Sequence, residues 1–307
     1  MKDDLQTRFQ QTNERLKARL LNRLPGPGSF PTLIPDLQLS RRDAAGQKEN
    51  CFYRPMLALV VQGSKRSLIG DEEYHCEEGS CVAVAVDMPS VIHVIRASSE
   101  KPFLSLSIAL DRQLMRGLET ELPPAPYSKA RGKAVSLAEV TQDLLDAFLR
   151  MLDLLDRPRQ MPVLAPMILR EIHVHLLCAP QGESLRLFCA ASSPGGQIAQ
   201  AVTWLRENYR EPMRVAALAE RANMAESTFN RHFRQVTSLS PLQFQKRLRL
   251  YEAQRLMLTE GKSAETAAFT VGYDHSPQFN REYKRQFGES PRRDVKRLCT
   301  AGALAGA

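Results

Sequence analysis

The 307-residue sequence has few of the features that mark catalysis or metal binding. Its six cysteines, at positions 51, 76, 81, 178, 189 and 299, contain no CxxC pair, which removes the commonest zinc and dithiol signatures. No phosphate-cradling glycine loop, Ser-His-Asp order or paired-carboxylate signature stands out, so neither an enzyme nor a cofactor is expected. No apolar run approaches roughly 18 residues, so no membrane span is expected. The opening Met1-Lys2-Asp3-Asp4 is too charged for a signal peptide. A cytoplasmic setting with reduced thiols follows as the expectation.

What is present is a basic, helical repeat. Hydrophobic residues make up 43% of the chain, enough to build cores, and the formal charge is +8. Residues 1–196 hold 24 Lys and Arg against 23 Asp and Glu, while residues 197–307 hold 18 against 11. Nearly all the excess therefore lies in the last third, where a polyanion partner is the natural reading. In that third, Phe229-Asn230-Arg231 returns as Phe279-Asn280-Arg281, fifty residues on. Ser240-Pro241 returns as Ser290-Pro291, and Lys246-Arg247-Leu248 as Lys296-Arg297-Leu298. Phe233 and Arg234 have near-equivalents in Tyr283 and Lys284.

The front of the chain reads differently. Residues 5–24 form an amphipathic helical pattern stopped by Pro25-Gly26-Pro27-Gly28. Short runs rich in Val and Ile follow at 56–62, 65–68, 72–75, 80–86, 91–96 and 103–110, punctuated by glycine and Pro89. Six such strands predict a small barrel or sandwich, and a barrel can hold a small ligand in its mouth. From about Ala134 the apolar period lengthens to that of a helix, predicting helices near 140–155 and 163–177 that either cover the core or form a dimer seam. Residues 190–196, Ala-Ala-Ser-Ser-Pro-Gly-Gly, interrupt every pattern and read as a linker. Beyond it, helices are predicted at 197–208, 214–221, 226–236, 241–259, 263–269, 277–286 and 291–298.

Each repeat has the components of a helix-turn-helix, in which one helix braces across a short turn and the next lies in the major groove. In the first, Val215, Leu218 and Ala219 brace, Asn223-Met224 turns, and Phe229, Phe233 and Val236 anchor. In the second, Ala264, Ala267 and Ala268 brace, Val271-Gly272-Tyr273 turns, and Phe279 and Tyr283 anchor. With the aromatics inward, the outer faces carry Ser227, Asn230, Arg231 and Arg234, then Gln278, Asn280, Arg281, Lys284 and Arg285. Arg and Asn can bond base edges in pairs, whereas Arg234, Lys284 and Arg285 suit phosphates. The helix at 241–259 is apolar on two sides, Phe244, Leu248, Tyr251 and Leu258 against Leu242, Leu250, Ala253 and Leu256, as if clamped between two bodies.

These residues, above all Val271-Gly272-Tyr273 and the run from Phe279 to Pro291, resemble the AraC/XylS-type transcriptional regulators. The resemblance implies a seven-helix domain over about 197–300 whose two reading helices enter adjacent major grooves. Carried onto this sequence, base-edge readers would be Ser227, Asn230, Arg231, Ser276, Gln278, Asn280 and Arg281. Two departures stand out: Ala225 where a capping Ser is usual, and Thr266 where the second brace usually has an aliphatic residue. A missing cap costs roughly 1 kcal/mol, so the first reading helix is expected to fray. The stretches 60–66 and 85–89 are similar to the cupin-like sensory domain of one AraC subgroup, which implies an effector-binding or protomer-pairing domain.

The reading is therefore an α+β chain. A cupin-like β-barrel with appended helices occupies 1–189, a linker 190–196, a double helix-turn-helix 197–300 and a tail 301–307. The expected partners are double-stranded DNA, RNA polymerase, a small-molecule effector and a second copy of the chain. A constitutive DNA-binding dimer without ligand and a barrel enzyme tethered to DNA remain as alternatives. His75, Cys76, Cys81 and His93 lack ligand spacing, and His173 and His175 fall two apart on a predicted helix, so no metal is expected. Cys51 and Cys76, near cations in sequence, are candidates for redox or electrophile sensing.

Overall fold

The computed structural model describes residues 2–46, 48–70, 72–123, 133–180, 182–190 and 192–304. Helix α1 (Lys2–Arg23) opens the chain and buries Leu16 and Leu20. Nine strands follow: β1 (Gly28–Pro31), β2 (Leu37–Arg42), β3 (Glu49–Tyr53), β4 (Met56–Gln62), β5 (Ser64–Ile69), β6 (Glu72–Glu77), β7 (Ser80–Val84), β8 (Met88–Arg96) and β9 (Phe103–Ala109). After α2 (Arg112–Glu121), β10 (Val135–Glu139) completes the set. All pairings are antiparallel, in a six-stranded sheet ordered β1-β2-β9-β4-β7-β10 and a four-stranded sheet ordered β3-β8-β5-β6.

The expected barrel is thus two sheets, not one closed ring of ladders. The reason lies at Gly63: β4 belongs to one sheet and β5 to the other, and the chain crosses between them in a single residue without pairing the two strands. β4 is buried on both faces because α1 covers the side turned from the strands; Asn13 of that helix donates to the Val61 carbonyl at 3.1 Å. Strands with both faces covered read as continuous apolar runs, which is why β4 was visible in the sequence. β1, β2, β3 and β10 were not, being short and mixed in polarity. β8 extends through Pro89, which lies opposite Phe52 of the sheet-edge strand β3.

Helices α3 (Gln142–Leu154), α4 (Met161–Cys178) and α5 (Gly182–Cys189) close the front half. Among the described residues α4 is the one helix long and apolar enough, by length and composition alone, to cross a membrane. Arg170 and Glu171 break the run in sequence without spoiling its mean hydropathy. In the fold α4 packs on α2, α3 and α5, and its His173 is fully buried. The imidazole accepts from the Asp111 amide at 3.0 Å and sits 2.8 Å from the Leu169 carbonyl. Burial pushes its pKa down, so it stays neutral, while His175 faces Glu171.

The rear helices are α6 (Pro194–Glu207), α7 (Val215–Arg221), α8 (Glu226–Thr237), α9 (Pro241–Thr259), α10 (Ala264–Thr270), α11 (Ser276–Phe287) and α12 (Pro291–Leu304). α6 starts inside the segment read as a linker. Ser193 caps the Gly196 amide at 2.9 Å and Pro194 takes the first turn, the same Ser-Pro start that opens α9 at Ser240-Pro241. Gly196 has no room for a side chain, since a Cβ there would lie 1.9 Å from the Ala190 carbonyl oxygen. Ala191 of the expected linker and residues 305–307 of the expected tail lie outside the described residues.

The buried apolar residues fall into two clusters. One runs from α1 through both sheets, α3 to α5, and on through α6, α7 and α8 to Phe244 and Leu248 of α9. The other holds Leu250, Ala253, Leu256 and Met257 of α9 with Ala267, Ala268, Val271, Tyr273, Phe279 and Tyr283. α9 is therefore buried on both sides, as its sequence predicted, although Leu242 and Leu258 are exposed.

Candidate nucleic-acid interface

The two helix-turn-helix units are built alike down to single hydrogen bonds. In the first turn Asn223 takes a left-handed conformation (φ 49°) and the Met224 amide donates to the Ala219 carbonyl at 3.0 Å. In the second, Gly272 (φ 92°) precedes Tyr273, whose amide donates to the Ala268 carbonyl at 3.0 Å. Asn tolerates this conformation and glycine adopts it freely. At Gly272 glycine is also required by space, because a Cβ would come within 2.4 Å of the Arg210 carbonyl oxygen.

Both reading helices are anchored by aromatics. Phe229 and Phe233 of α8 and Phe279 and Tyr283 of α11 are fully buried, with ring centroids 5.5 Å and 5.4 Å apart within each pair. This fixes the opposite faces toward solvent. Ser227, Arg231 and Arg234 are exposed and Asn230 half-buried on α8; Gln278, Asn280, Arg281, Lys284 and Arg285 are exposed and Ser276 half-buried on α11. The Asn230 amide donates to the Glu226 carbonyl at 3.1 Å, and Gln278 to Glu282 at 3.4 Å, local bonds that a better acceptor can replace. Arg231, Arg234, Arg281, Lys284 and Arg285 form no ion pair among the described residues. Unpaired cations on one face suit phosphates, since neutralising them releases counterions.

The one acid in the middle of α11 is turned inward. Glu282 is buried and accepts from Lys246 Nζ at 2.8 Å and Tyr273 Oη at 2.9 Å. Burial opposes its charge, but the bonds from Lys246, Tyr273 and Gln278 outweigh it and hold the carboxyl below its ordinary pKa. The buried Asp294 of α12 has a similar role, accepting from Gln254 at 2.6 Å and Tyr283 at 2.8 Å and pairing with Arg297. The Glu282 carboxylate is thereby kept off the outward face of α11.

Caps match the sequence only partly. Ala225 gives α8 no side-chain cap, as expected. Thr266 compensates for its departure from the usual pattern: Ser263 caps its amide at 3.0 Å and the two hydroxyls lie 2.8 Å apart. α11, starting after His275, also lacks a side-chain cap.

Sequence reasoning missed the residue that ties the units together. Arg249 of α9 donates from Nε to the Tyr209 carbonyl at 2.7 Å, from Nη1 to that of Gly272 at 2.7 Å, and from Nη2 to those of Arg210 and Glu211 at 3.0 and 3.2 Å. Gln245 adds bonds to the Tyr209 and Glu211 carbonyls at 3.0 and 2.8 Å. Its signal was faint, one more arginine in a basic helix. Gln245 and Arg249 are nonetheless four apart, on one face.

The front half grips the same helix. Phe52 of β3 sits edge-on to Phe244 and Tyr251 of α9, with centroids 5.6 and 5.7 Å away, and Tyr251 Oη donates to the Ser90 carbonyl at 3.3 Å. Arg206 of α6 pairs with buried Asp87 at 3.0 Å. β3 also walls a cavity of about 620 Å³ between the two sheets, where Lys65 Nζ donates to Tyr53 Oη at 3.2 Å and Tyr53 Oη lies 3.4 Å from Ser67 Oγ. Burial raises the Tyr53 pKa, so the phenol is neutral.

The two candidate sensing thiols lie beside this cation. Burial nevertheless pushes the Cys51 thiol up to about 12 and raises that of Cys76, each against a lowering by Lys65, so both are held protonated. His75 is exposed beside Glu73, apart from buried Cys76 and Cys81, and no group of three metal-binding side chains occurs among the described residues.

Two stacked sheets joined through a helical front to a pair of exposed, cationic helix-turn-helix units define a DNA-binding protein class with an attached second unit. Comparison narrows the class. The family described as "AraC-type transcriptional regulator N-terminus" matches residues 33–184, and "Helix-turn-helix domain" matches residues 218–297. The chain belongs to the AraC-type transcriptional regulators. It is similar to the HTH-type transcriptional activator RhaS of Salmonella schwarzengrund, 28% identical over 181 residues, covering 59% of this chain and 63% of that protein. RhaS of Pectobacterium carotovorum subsp. carotovorum is 30% identical over 112 residues, 35% of this chain and 40% of that protein. The chain thus spans between two fifths and two thirds of the length of these relatives. In fold it is similar to an apo variant of ToxT from Vibrio cholerae, with a TM-score of 0.59 at 9% identity over 86% of this chain and 98% of that one.

Proposed function

We propose that the chain regulates transcription by binding double-stranded DNA at specific sequences. α8 and α11 enter successive major grooves. Ser227, Asn230 and Arg231, and Ser276, Gln278, Asn280 and Arg281, read base edges, while Arg234, Lys284 and Arg285 set the register on phosphates. The observation that carries this is the matched pair of outward faces, each backed by buried aromatics and each bearing cations without an ion-pair partner. α9 supports the spacing: its 19 residues rise about 28 Å at about 1.5 Å each, against roughly 34 Å per turn of B-DNA.

In this reading residues 1–189 form a cupin-like effector-binding and pairing unit, 190–196 the junction, 197–300 the DNA reader and 301–307 a tail. The front unit carries no catalytic task. A small effector in the cavity between the sheets biases the reader through β3, which is at once a wall of that cavity and the seat of Phe52 against α9. The protein acts in the cytoplasm as a homodimer and recruits RNA polymerase as an activator, the role for which the RhaS relatives are named.

Selecting duplexes from a random pool with the full chain tests the reading. The expected product is a site with two short conserved blocks about 10–10.5 base pairs apart for each bound chain. No enrichment over the starting pool would overturn it.

A further inference from the structure

We infer that Glu282 is a positioning residue that fixes the sense of the Gln278 side-chain amide, so that Gln278 selects adenine in the major groove; this rests on the base-reading role given to Gln278 above. The two lie one turn apart on α11, where residues four apart meet. Glu282 has 7% of its surface exposed. Three donors converge on its carboxylate: Lys246 Nζ donates to Oε1 at 2.8 Å, Tyr273 Oη to Oε2 at 2.9 Å, and Gln278 Nε2 to Oε1 at 3.4 Å. They keep the group ionised, with its pKa below the ordinary value. An ionised carboxylate has no hydrogen to give. Turning the amide over would set the Gln278 carbonyl oxygen against it, two acceptors face to face.

With its nitrogen turned to Glu282, Gln278 keeps its carbonyl oxygen and one N–H for the groove. Base edges offer neutral acceptors, weaker than a carboxylate, so a base does not displace the inward bond. One acceptor beside one donor is the complement of adenine, whose N6 amino group donates and whose N7 accepts. Guanine presents two acceptors, O6 and N7, and would need both N–H groups, one of which is already committed. The first unit has no such device, since the residues fifty positions earlier are Thr228 and His232. On α11 itself, Asn280 lies 3.5 Å from Ser276 Oγ, a hydroxyl that can give or take a hydrogen and so fixes no sense.

The test starts from the duplex that the unaltered full chain selects. Gln278→Ala should relax one position in it, and that position should be an A·T pair. Replacing its adenine by purine, which lacks the amino group, should weaken binding by the unaltered chain roughly three- to ten-fold more than binding by Gln278→Ala. In Glu282→Met the amide is free to turn, so discrimination between A·T and G·C at that position should fall about five-fold or more, while the position read by Arg281 keeps its preference. Where Glu282→Met fails to fold, the purine result decides. A G·C pair at the relaxed position, purine costing both chains alike, or Glu282→Met losing neither preference or both, would overturn the inference and leave Gln278 a base reader. Gln278→Ala relaxing no position would overturn it together with that reading role.

Discussion

The two reading units repeat one another in sequence and in hydrogen bonding, yet they are supported in different ways. The first shares its core with the front half: Leu218, Phe229, Phe233 and Phe244 belong to the cluster that continues into the sheets. The second has ten buried residues of its own, with Tyr209 packing at the edges of both clusters. The mechanical boundary of the molecule therefore falls along α9 and not at the composition break near 190–196. Under the proposed effector reading, a signal from the front would meet the first unit through this shared core and the second through α9, the Arg249 tie and Tyr209.

Truncating matched anchors should break this comparison open. Phe279→Ala and Phe229→Ala each remove a fully buried ring, at about 3–5 kcal/mol. In Phe279→Ala the amides of α10 to α12 should lose hydrogen-exchange protection while the sheets keep theirs. In Phe229→Ala the loss should spread into α6 and the front half. Identical exchange patterns in the two variants would show that the cores are not separate.

Next in size is the turn. Gly272→Ala meets both a positive φ and the Arg210 carbonyl, and should cost roughly 1–3 kcal/mol or more, read as a lower melting temperature. Asn223→Ala, in the equivalent place, meets strain alone and should cost less. Equal costs would mean that the close approach to Arg210 relaxes freely.

On DNA the contrast moves from unit to unit. Arg281→Ala should lose about 1–3 kcal/mol of discrimination at one block of the selected site, whereas Lys284→Ala should weaken all duplexes alike and flatten the salt slope by about one. Titrations against specific and scrambled duplexes at several salt concentrations separate the two roles, and equal losses on both duplexes for both variants would sink the division. The smallest change sharpens the comparison: Ala225→Ser supplies the absent cap and should add about 1 kcal/mol to α8, seen as slower exchange in its first turn. No slowing would mean that packing already holds that end.

The rear half was legible because its signals are local. Aromatic spacing, Ser-Pro starts and the repeat register each lie within a few residues, and every predicted rear helix is present with ends shifted by no more than one residue, except that α6 starts three residues early and α12 runs further on. The Ser193-Pro194 start of α6 carried the same signal, hidden by two glycines that read as flexibility and serve close packing, Gly195 against Leu187 and Phe188 and Gly196 against Ala190. The front was legible only where strands are buried on both faces. β3 reads as Glu-Asn-Cys-Phe-Tyr, half polar, because one side faces the cavity and the other faces α9; that division of labour exists only once the chain is folded. The reading faces were visible for the opposite reason, since exposed cations beside buried aromatics keep their pattern in sequence. Arg249 was not, because its importance comes from what distant segments bring to it, four backbone carbonyls.

The seating of Phe52 between two α9 rings has a practical corollary for protein engineering. A hybrid that grafts the reader onto a foreign receptor leaves an aromatic notch uncovered on α9, a sticky patch where Phe244 and Tyr251 had a lid. Such hybrids should precipitate unless the notch is filled, so the useful cutting point carries β3, or a donated phenyl group in its place, along with the helices.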